Sequence, residues 1–176
     1  MNEPDSNLEA RFKEWLDQFG GILVKVARAY TINPEDGEDL LQEILLQVWR
    51  SLPQFQGRAG ASTWVYRVAL NTALSWRRKE GRRHVLQESL LSPESVPGES
   101  VDDAGWRGRH EQVERLYGAI HQLPKTDAAL VLLYLDDLSY REMAEVLGIS
   151  ESNVGVKLNR AKKTLGELMK GAANES

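Results

Sequence analysis

The chain has no cysteine. Disulfide scaffolds, thiolate nucleophiles and cysteine-ligated metals are therefore excluded, and the redox compartment is left open. Histidine is scarce: the three present, His84, His110 and His121, lack the spacing of two ligands four apart on one helix face. Long apolar runs are missing too. The longest, Ala128 to Leu135, is far shorter than the ~20 residues that cross a bilayer. The opening Met1-Asn2-Glu3-Pro4-Asp5 has neither the basic nor the apolar region of a signal peptide. No phosphate-binding glycine loop precedes a Lys-Ser or Lys-Thr pair, and no nucleophile elbow occurs. The acids from Glu35 to Asp39 lack the alternating oxygen ligands of a calcium loop. An enzyme is not indicated: no catalytic residue, metal or cofactor is expected, and a cytoplasmic protein is.

What is present is best organised between Leu138 and Met169. Leu138 to Leu147 has the pattern of a short helix, Gly148-Ile149-Ser150 that of a tight turn, and Glu151 to Met169 that of a longer helix. Ser139 and Glu142 are spaced as a capping box, with Leu138 and Met143 placed as a hydrophobic staple. Gly148 supplies the positive φ that ends the first helix, and Ser150 caps the second. Helix, glycine turn and helix make a helix-turn-helix, whose second helix lies in the DNA major groove. In that second helix Val154, Leu158, Ala161, Leu165 and Leu168 form the apolar stripe. Opposite lie Ser152, Asn153, Val156, Lys157, Arg160, Lys163 and Thr164, residue types that reach phosphates or base edges. The plainer alternative is a bundle helix with a solvated basic face.

Charge is unevenly spread. The formal net charge of −4 argues against a free-standing DNA binder, because phosphate neutralisation supplies most non-specific affinity. Five acids (Glu35, Asp36, Glu38, Asp39, Glu43) and no base fall between Pro34 and Gln47. Six bases against the single acid Glu80 fall between Arg67 and Arg83. One acidic face and two basic ones point to a protein partner as well as DNA.

Taken in order, Leu8 to Tyr30 carries helically spaced apolar residues, interrupted by Gly20-Gly21, which is expected to bend or break the helix. Asn33-Pro34-Glu35-Asp36 is a helix start, with Asn as cap, Pro first and acids in the first turn. Leu40, Leu41, Ile44, Leu45, Val48, Trp49 and Leu52 follow as its apolar set, up to Pro53. Asp36, Asp39, Gln42, Glu43 and Gln47 are left on a polar face that spacing alone makes no more than solvated. Phe55 to Ala61 is a loop, and Ser62 is expected to cap a third helix through about Arg82. There Trp64, Val65, Val68, Ala69, Thr72 and Trp76 suit an inner face, with Arg67, Asn71, Arg77, Arg78 and Arg82 turned outward. Aromatics beside cations suit melted single strands, although the same aromatics serve equally as core. From His84 to Gly108 five acids, two prolines, three glycines and several serines mark a linker. Helical pattern returns from His110 to Leu123, and Lys125 to about Leu135 forms the helix that leads into the helix-turn-helix. The expected fold is all-α: two small helical domains, 8–83 and 109–170, joined by a flexible acidic linker, 84–108.

At this point the residues carry a family likeness. Glu38-Asp39-Leu40-Leu41-Gln42-Glu43, Val48-Trp49, Phe55, and Thr63 to Ala69 with Asn71 resemble the second domain of bacterial extracytoplasmic-function (group IV) sigma factors. Leu123-Pro124, Ser139 to Leu147, Gly148-Ile149-Ser150 and Arg160-Ala161-Lys162 look like that family's fourth domain. The resemblance implies a dissociable initiation subunit of RNA polymerase. It would dock Asp39, Gln42, Glu43 and Trp49 on the clamp of the largest polymerase subunit. Phe55, Ser62, Trp64, Arg67 and Asn71 would recognise and open the downstream promoter element, with Asn71 reading a flipped base. Arg77, Arg78, Lys79, Arg82 and Arg83 would hold phosphates. Ser152, Asn153, Val156, Lys157, Arg160 and Lys163 would read the upstream element. The larger amino-terminal autoinhibitory region and the third domain of primary sigma factors are not expected here. The resemblance therefore implies control by an anti-sigma protein, commonly membrane-anchored, that clamps the two domains.

The linker is long enough for such a role. Promoter elements two DNA turns apart are separated by roughly 70 Å, which leaves about 45 Å between domains of ~13 Å radius. Twenty-five linker residues span only ~25–30 Å as a coil but up to ~80–90 Å extended, so a basic polymerase channel would have to hold the acidic segment extended. The chain departs from the family at Asp127, where a basic residue is frequent, and at Asn153 and Gly155, where Thr and Lys are usual. Gly155 lowers helix propensity by about 1 kcal/mol. Two other readings compete: a stand-alone LuxR-like helix-turn-helix regulator, which leaves the acidic helix and first basic helix unused, and a helical adaptor that binds only protein.

Overall fold

The computed structural model describes the backbone of residues 3–87 and 104–174 and the side chains of 7–76 and 110–171. Every regular element among them is helical. The first, α1 (Glu3–Tyr30), runs through Gly20 and Gly21 without a break. Neither glycine has a neighbour within 4 Å of where a Cβ would stand. The bend expected there is absent because Trp15 and Phe19 before the pair, and Leu23 and Val26 after it, are buried on one stripe. Packing of that stripe outweighs the ~2 kcal/mol that two interior glycines forfeit.

Helix α2 (Pro34–Ser51) starts as its sequence dictates: the Asn33 side chain accepts from the Asp36 N–H at 2.7 Å, with Pro34 in the first turn. It buries Leu40, Ile44 and Val48, and a 3-10 turn over Leu52–Gln54 ends it at Pro53. Helix α3 (Ala61–Gln87) begins one residue before the expected cap. The Gly60 carbonyl accepts the first bond, from Trp64 N–H at 3.0 Å, so Ser62 lies inside the first turn rather than capping it. Helices α1, α2 and α3 pack into one bundle around Tyr66, Leu40, Ile44 and Leu70.

Helix α4 (Ala104–Gln122) and α5 (Lys125–Leu135) open the second bundle. Both α3 and α4 extend into the 84–108 segment read as linker, and 88–103 lie outside the described residues. In α5 all of residues 127–133 are buried, as expected of a helix that is apolar all round and therefore sits at the centre of its domain. Helix α6 (Tyr140–Leu147) and α7 (Glu151–Asn174) flank it. The capping box forms in full, and Gly148 ends α6 at φ 67°. Ser150 accepts from Asn153 N–H at 3.3 Å at the start of α7. Met143, Val146, Val154, Leu158 and Ala161 close the helix-turn-helix on α5.

The two bundles lie directly against each other, α1 on α4 and α5, and α3 on α6. Their buried side chains form one continuous cluster. Polar contacts flank this seam: Tyr30 Oη donates to the Lys125 carbonyl at 2.8 Å, and His121 Nε2 lies 2.9 Å from the Arg28 carbonyl. Arg28 pairs with Glu114 and stacks 4.2 Å over the Tyr117 ring.

Candidate nucleic-acid interface

The acidic face of α2 emerges because its opposite stripe is committed to the core. Asp39 and Gln42 are exposed, while Glu43 is half-buried and accepts from Gln47 Nε2 at 2.8 Å. Leu46 shares this face by its spacing and is 39% exposed. It is an exposed apolar side chain that the helical spacing of the heavily apolar 40–52 stretch did not single out. Trp49 is half-buried, edge-on to Phe12 with ring centroids 5.0 Å apart.

Three aromatics gather where α1, the loop after α2 and α3 meet. Trp15 lies 4.9 Å from Phe55 and 5.4 Å from Trp64, and Phe55 lies 5.4 Å from Trp64, all edge-to-face. Such offset pairs add ~0.5–1.5 kcal/mol each beyond area burial. Arg11 sits 5.5 Å over both Trp15 and Phe55. Phe55 and Trp64 thus anchor the loop, and their edges are engaged with each other. Trp64, Arg67 and Asn71 follow at three and seven residues on α3, which is one helix face. Asn71 is exposed. The side chains of Arg77, Arg78, Lys79, Arg82 and Arg83 lie outside the described residues.

Arg67 is not free in this arrangement. Its Nη2 donates to the Glu145 carbonyl of α6 at 2.7 Å. Also between the two bundles, the Asp136 carboxylate accepts from both Lys25 Nζ and Tyr66 Oη. Burial, foremost, and the Asp136 carboxylate raise the Tyr66 phenol well above its ordinary pKa. A cleft of about 400 Å³ borders these contacts, lined by Ile22, Ser62, Tyr66, Leu135 and Asp136 among others. Sequence reading missed Lys25, Tyr66 and Asp136. Partners 111 and 70 positions apart leave no periodic trace.

On α7 the residues predicted for groove contact are brought together. Ser152, Asn153, Val156, Arg160 and Lys163 are exposed, and Lys157 is half-buried. Val156 is 73% exposed, an apolar group suited to a thymine methyl. Gly155 lies beneath the Tyr140 ring, with 3.4 Å between a Cβ there and the ring. Arg160 also faces Asp127 on α5, Nη2 lying 3.3 and 3.4 Å from the two carboxylate oxygens. The Glu142 carboxyl is held below the usual range by hydrogen bonds from the Ser139 side chain and backbone.

A chain of two helical bundles, the second with a helix-turn-helix whose longer helix exposes a polar and basic face and the first with an acidic helix face, has the architecture of a DNA-binding transcription protein. Sequence families agree with the two halves in order: Sigma-70 region 2 matches residues 15–83, and Sigma-70, region 4 matches residues 113–165. The ECF RNA polymerase sigma factor SigX of Bacillus subtilis is 30% identical, over 75% of this chain and 70% of its own length. The ECF RNA polymerase sigma-E factor of Haemophilus influenzae is 29% identical, over 80% and 79%. Among solved structures, the sigma factor RpoE in complex with the anti-sigma factor NepR from Bartonella quintana superposes with a TM-score of 0.70 at 21% identity, over 91% of this chain and 97% of that one. CnrH in complex with the cytosolic domain of CnrY gives 0.62 at 19%, over 93% and 90%. The chain belongs to the extracytoplasmic-function RNA polymerase sigma factors. It is a sigma factor that directs transcription initiation.

Proposed function

We propose that the protein is a group IV sigma factor with its contacts divided by element. The acidic face of α2, with Asp39, Gln42 and Glu43 around exposed Leu46, docks on the clamp of the largest polymerase subunit, buttressed by Trp49. The loop anchored by Phe55 and the α3 face bearing Trp64, Arg67 and Asn71 opens the downstream promoter element, Arg77 and Arg78 holding phosphates. Ser152, Asn153, Val156, Lys157, Arg160 and Lys163 on α7 read the upstream one. The observation that carries this division is the placement of two DNA-suited faces, on α3 and α7, in one chain with a separate acidic helix. The working domains are 8–83 and 109–170, acting in the cytoplasm. No helix among the described residues is long and apolar enough to cross a membrane. An anti-sigma partner is proposed from the likeness to sigma factors solved with theirs.

The free chain is closed. With α6 laid on α3 and Arg67 engaged by Glu145, the halves cannot lie on elements roughly 70 Å apart. Engagement of polymerase and promoter requires them to separate. The test mixes the protein with sigma-free core polymerase and transcribes pooled fragments of its own genome. Discrete start sites, lost in Asn71→Ala while core binding persists, are the expected result. Specific DNA binding without polymerase, and no start sites with it, would replace this reading with a stand-alone regulator.

A further inference from the structure

Asp127 is the one buried charged side chain among the described residues. Removing a carboxylate from water costs several kcal/mol unless it is paired. Two features offset that here. Asp127 lies in the first turn of α5, where the helix dipole favours an anion. Its carboxylate also faces Arg160 Nη2, at 3.3 and 3.4 Å. These distances exceed the ~2.7–2.9 Å of a tight charge-assisted bond, so the contact restrains the guanidinium without locking it.

The pair is asymmetric, and the asymmetry carries the argument. The Asp127 side chain is 5% exposed and that of Arg160 64%. Only Nη2 of Arg160 is within hydrogen-bonding reach of the carboxylate, so the donors on Nε and Nη1 remain for another ligand. Arg160 follows Asn153, Val156 and Lys157 at seven, four and three residues, which keeps it on their exposed face. A free arginine at a DNA surface is a mobile cation that any phosphate satisfies, and it adds to sequence-independent binding. A guanidinium restrained on a buried carboxylate has its charge compensated locally. It keeps its directed donors, which are what distinguish one base edge from another.

We infer that Asp127 is a positioning residue for upstream-element recognition, holding Arg160 so that it discriminates sequence rather than gripping phosphate. This rests on the reading that α7 enters the promoter groove. It also gives the departure at Asp127 a use: an acid beneath the recognition helix exchanges general affinity for selectivity.

The test uses full-length protein in holoenzyme and a start site found with its own genome. Initiation is compared on the intact promoter and on one with the upstream element scrambled, across a salt series. Asp127→Asn is expected to cut the intact-to-scrambled ratio about tenfold, the equivalent of one lost directed base contact. It should also steepen the salt slope on scrambled DNA by up to about 1, as the released arginine finds phosphate. Adding Arg160→Gln to Asp127→Asn should lower the ratio no further. Arg160→Gln alone, whose side-chain amide still offers Asp127 a hydrogen-bond donor, should lower the ratio while leaving the salt slope unchanged. A phosphate-gripping arginine would instead lose about 1 from the slope with the ratio intact, and that result would overturn the inference. So would an Asp127→Asn protein with wild-type ratio and slope, whatever its melting temperature. Wild-type holoenzyme that finds no start site at all would mark failure of the sigma-factor division itself.

Discussion

Asp136 holds the two halves of the chain together, and removing it measures how firmly the closed form is held. In Asp136→Ala the Tyr66 hydroxyl, on a residue 1% exposed, loses its acceptor within the seam. A buried hydrogen bond to a charged group contributes about 1.5–3 kcal/mol. Lys25 also loses its partner, but its side chain is 39% exposed and regains water, so that pair adds only about 0–1 kcal/mol. The closed form should weaken by about 2–3 kcal/mol, a shift of roughly 30- to 150-fold in the opening equilibrium. Because the chain has no cysteine, Lys13→Cys and Lys170→Cys, on exposed faces of α1 and α7, accept dyes without background. Single-molecule energy transfer then reads the open fraction directly. Tyr66→Phe should open the chain less than Asp136→Ala, since it removes one partner and leaves Lys25 on Asp136. The wild type should open as pH rises past about 10. The seam holds Tyr66 protonated, so its contribution is complete below the phenol's unfolded pKa and fades as the folded one is approached. Equal open fractions in wild type and Asp136→Ala, or a larger effect from Tyr66→Phe, would refute the assignment of Asp136 as the hub.

Two further outcomes concern the helix-turn-helix. Gly155→Ala should raise the urea midpoint of the full chain, worth about 0.5–1 kcal/mol, because a Cβ there makes ordinary contact with the Tyr140 ring at 3.4 Å. A lower midpoint would show that the ring cannot accommodate it. Ser139→Ala should cost about 1 kcal/mol as a lost cap and flatten the acid limb of stability. Glu142, with its folded pKa lowered, stabilises above its unfolded value near 4.3, and that contribution is lost as pH falls through the folded one. An unchanged slope between pH 5 and 3 in Ser139→Ala would disprove the coupling.

What could be read directly from residues was whatever short-range chemistry fixes. The Asn33 cap, the Ser139–Glu142 box and Gly148 in the left-handed region each depend on atoms within four residues, and all three formed as spaced. The apolar stripe of α7 likewise declared its exposed face, so which α7 residues face outward was legible before any fold was known. The misreadings share one cause. Gly20-Gly21 and Ser62 carry local signals that favour a break and a cap, yet the α1 stripe and the Gly60 carbonyl supplied competing interactions from packing and backbone. The aromatics Phe55 and Trp64 were ambiguous in sequence because stacking on bases and packing on Trp15 demand the same residue types.

The sequence by itself determined the helical class, the helix-turn-helix, the order of an acidic, a basic and a recognition helix, and through them the family. Those properties reside in periodicity, capping and charge, which are local. Only the tertiary structure decided that the halves close on one another through Asp136, Lys25, Tyr66 and Arg67, and that Asp127 lies buried beneath Arg160. Pairings between residues tens of positions apart follow from how helices stack. An aspartate in the first turn of a helix looks the same in sequence whether it faces water or an arginine from another helix.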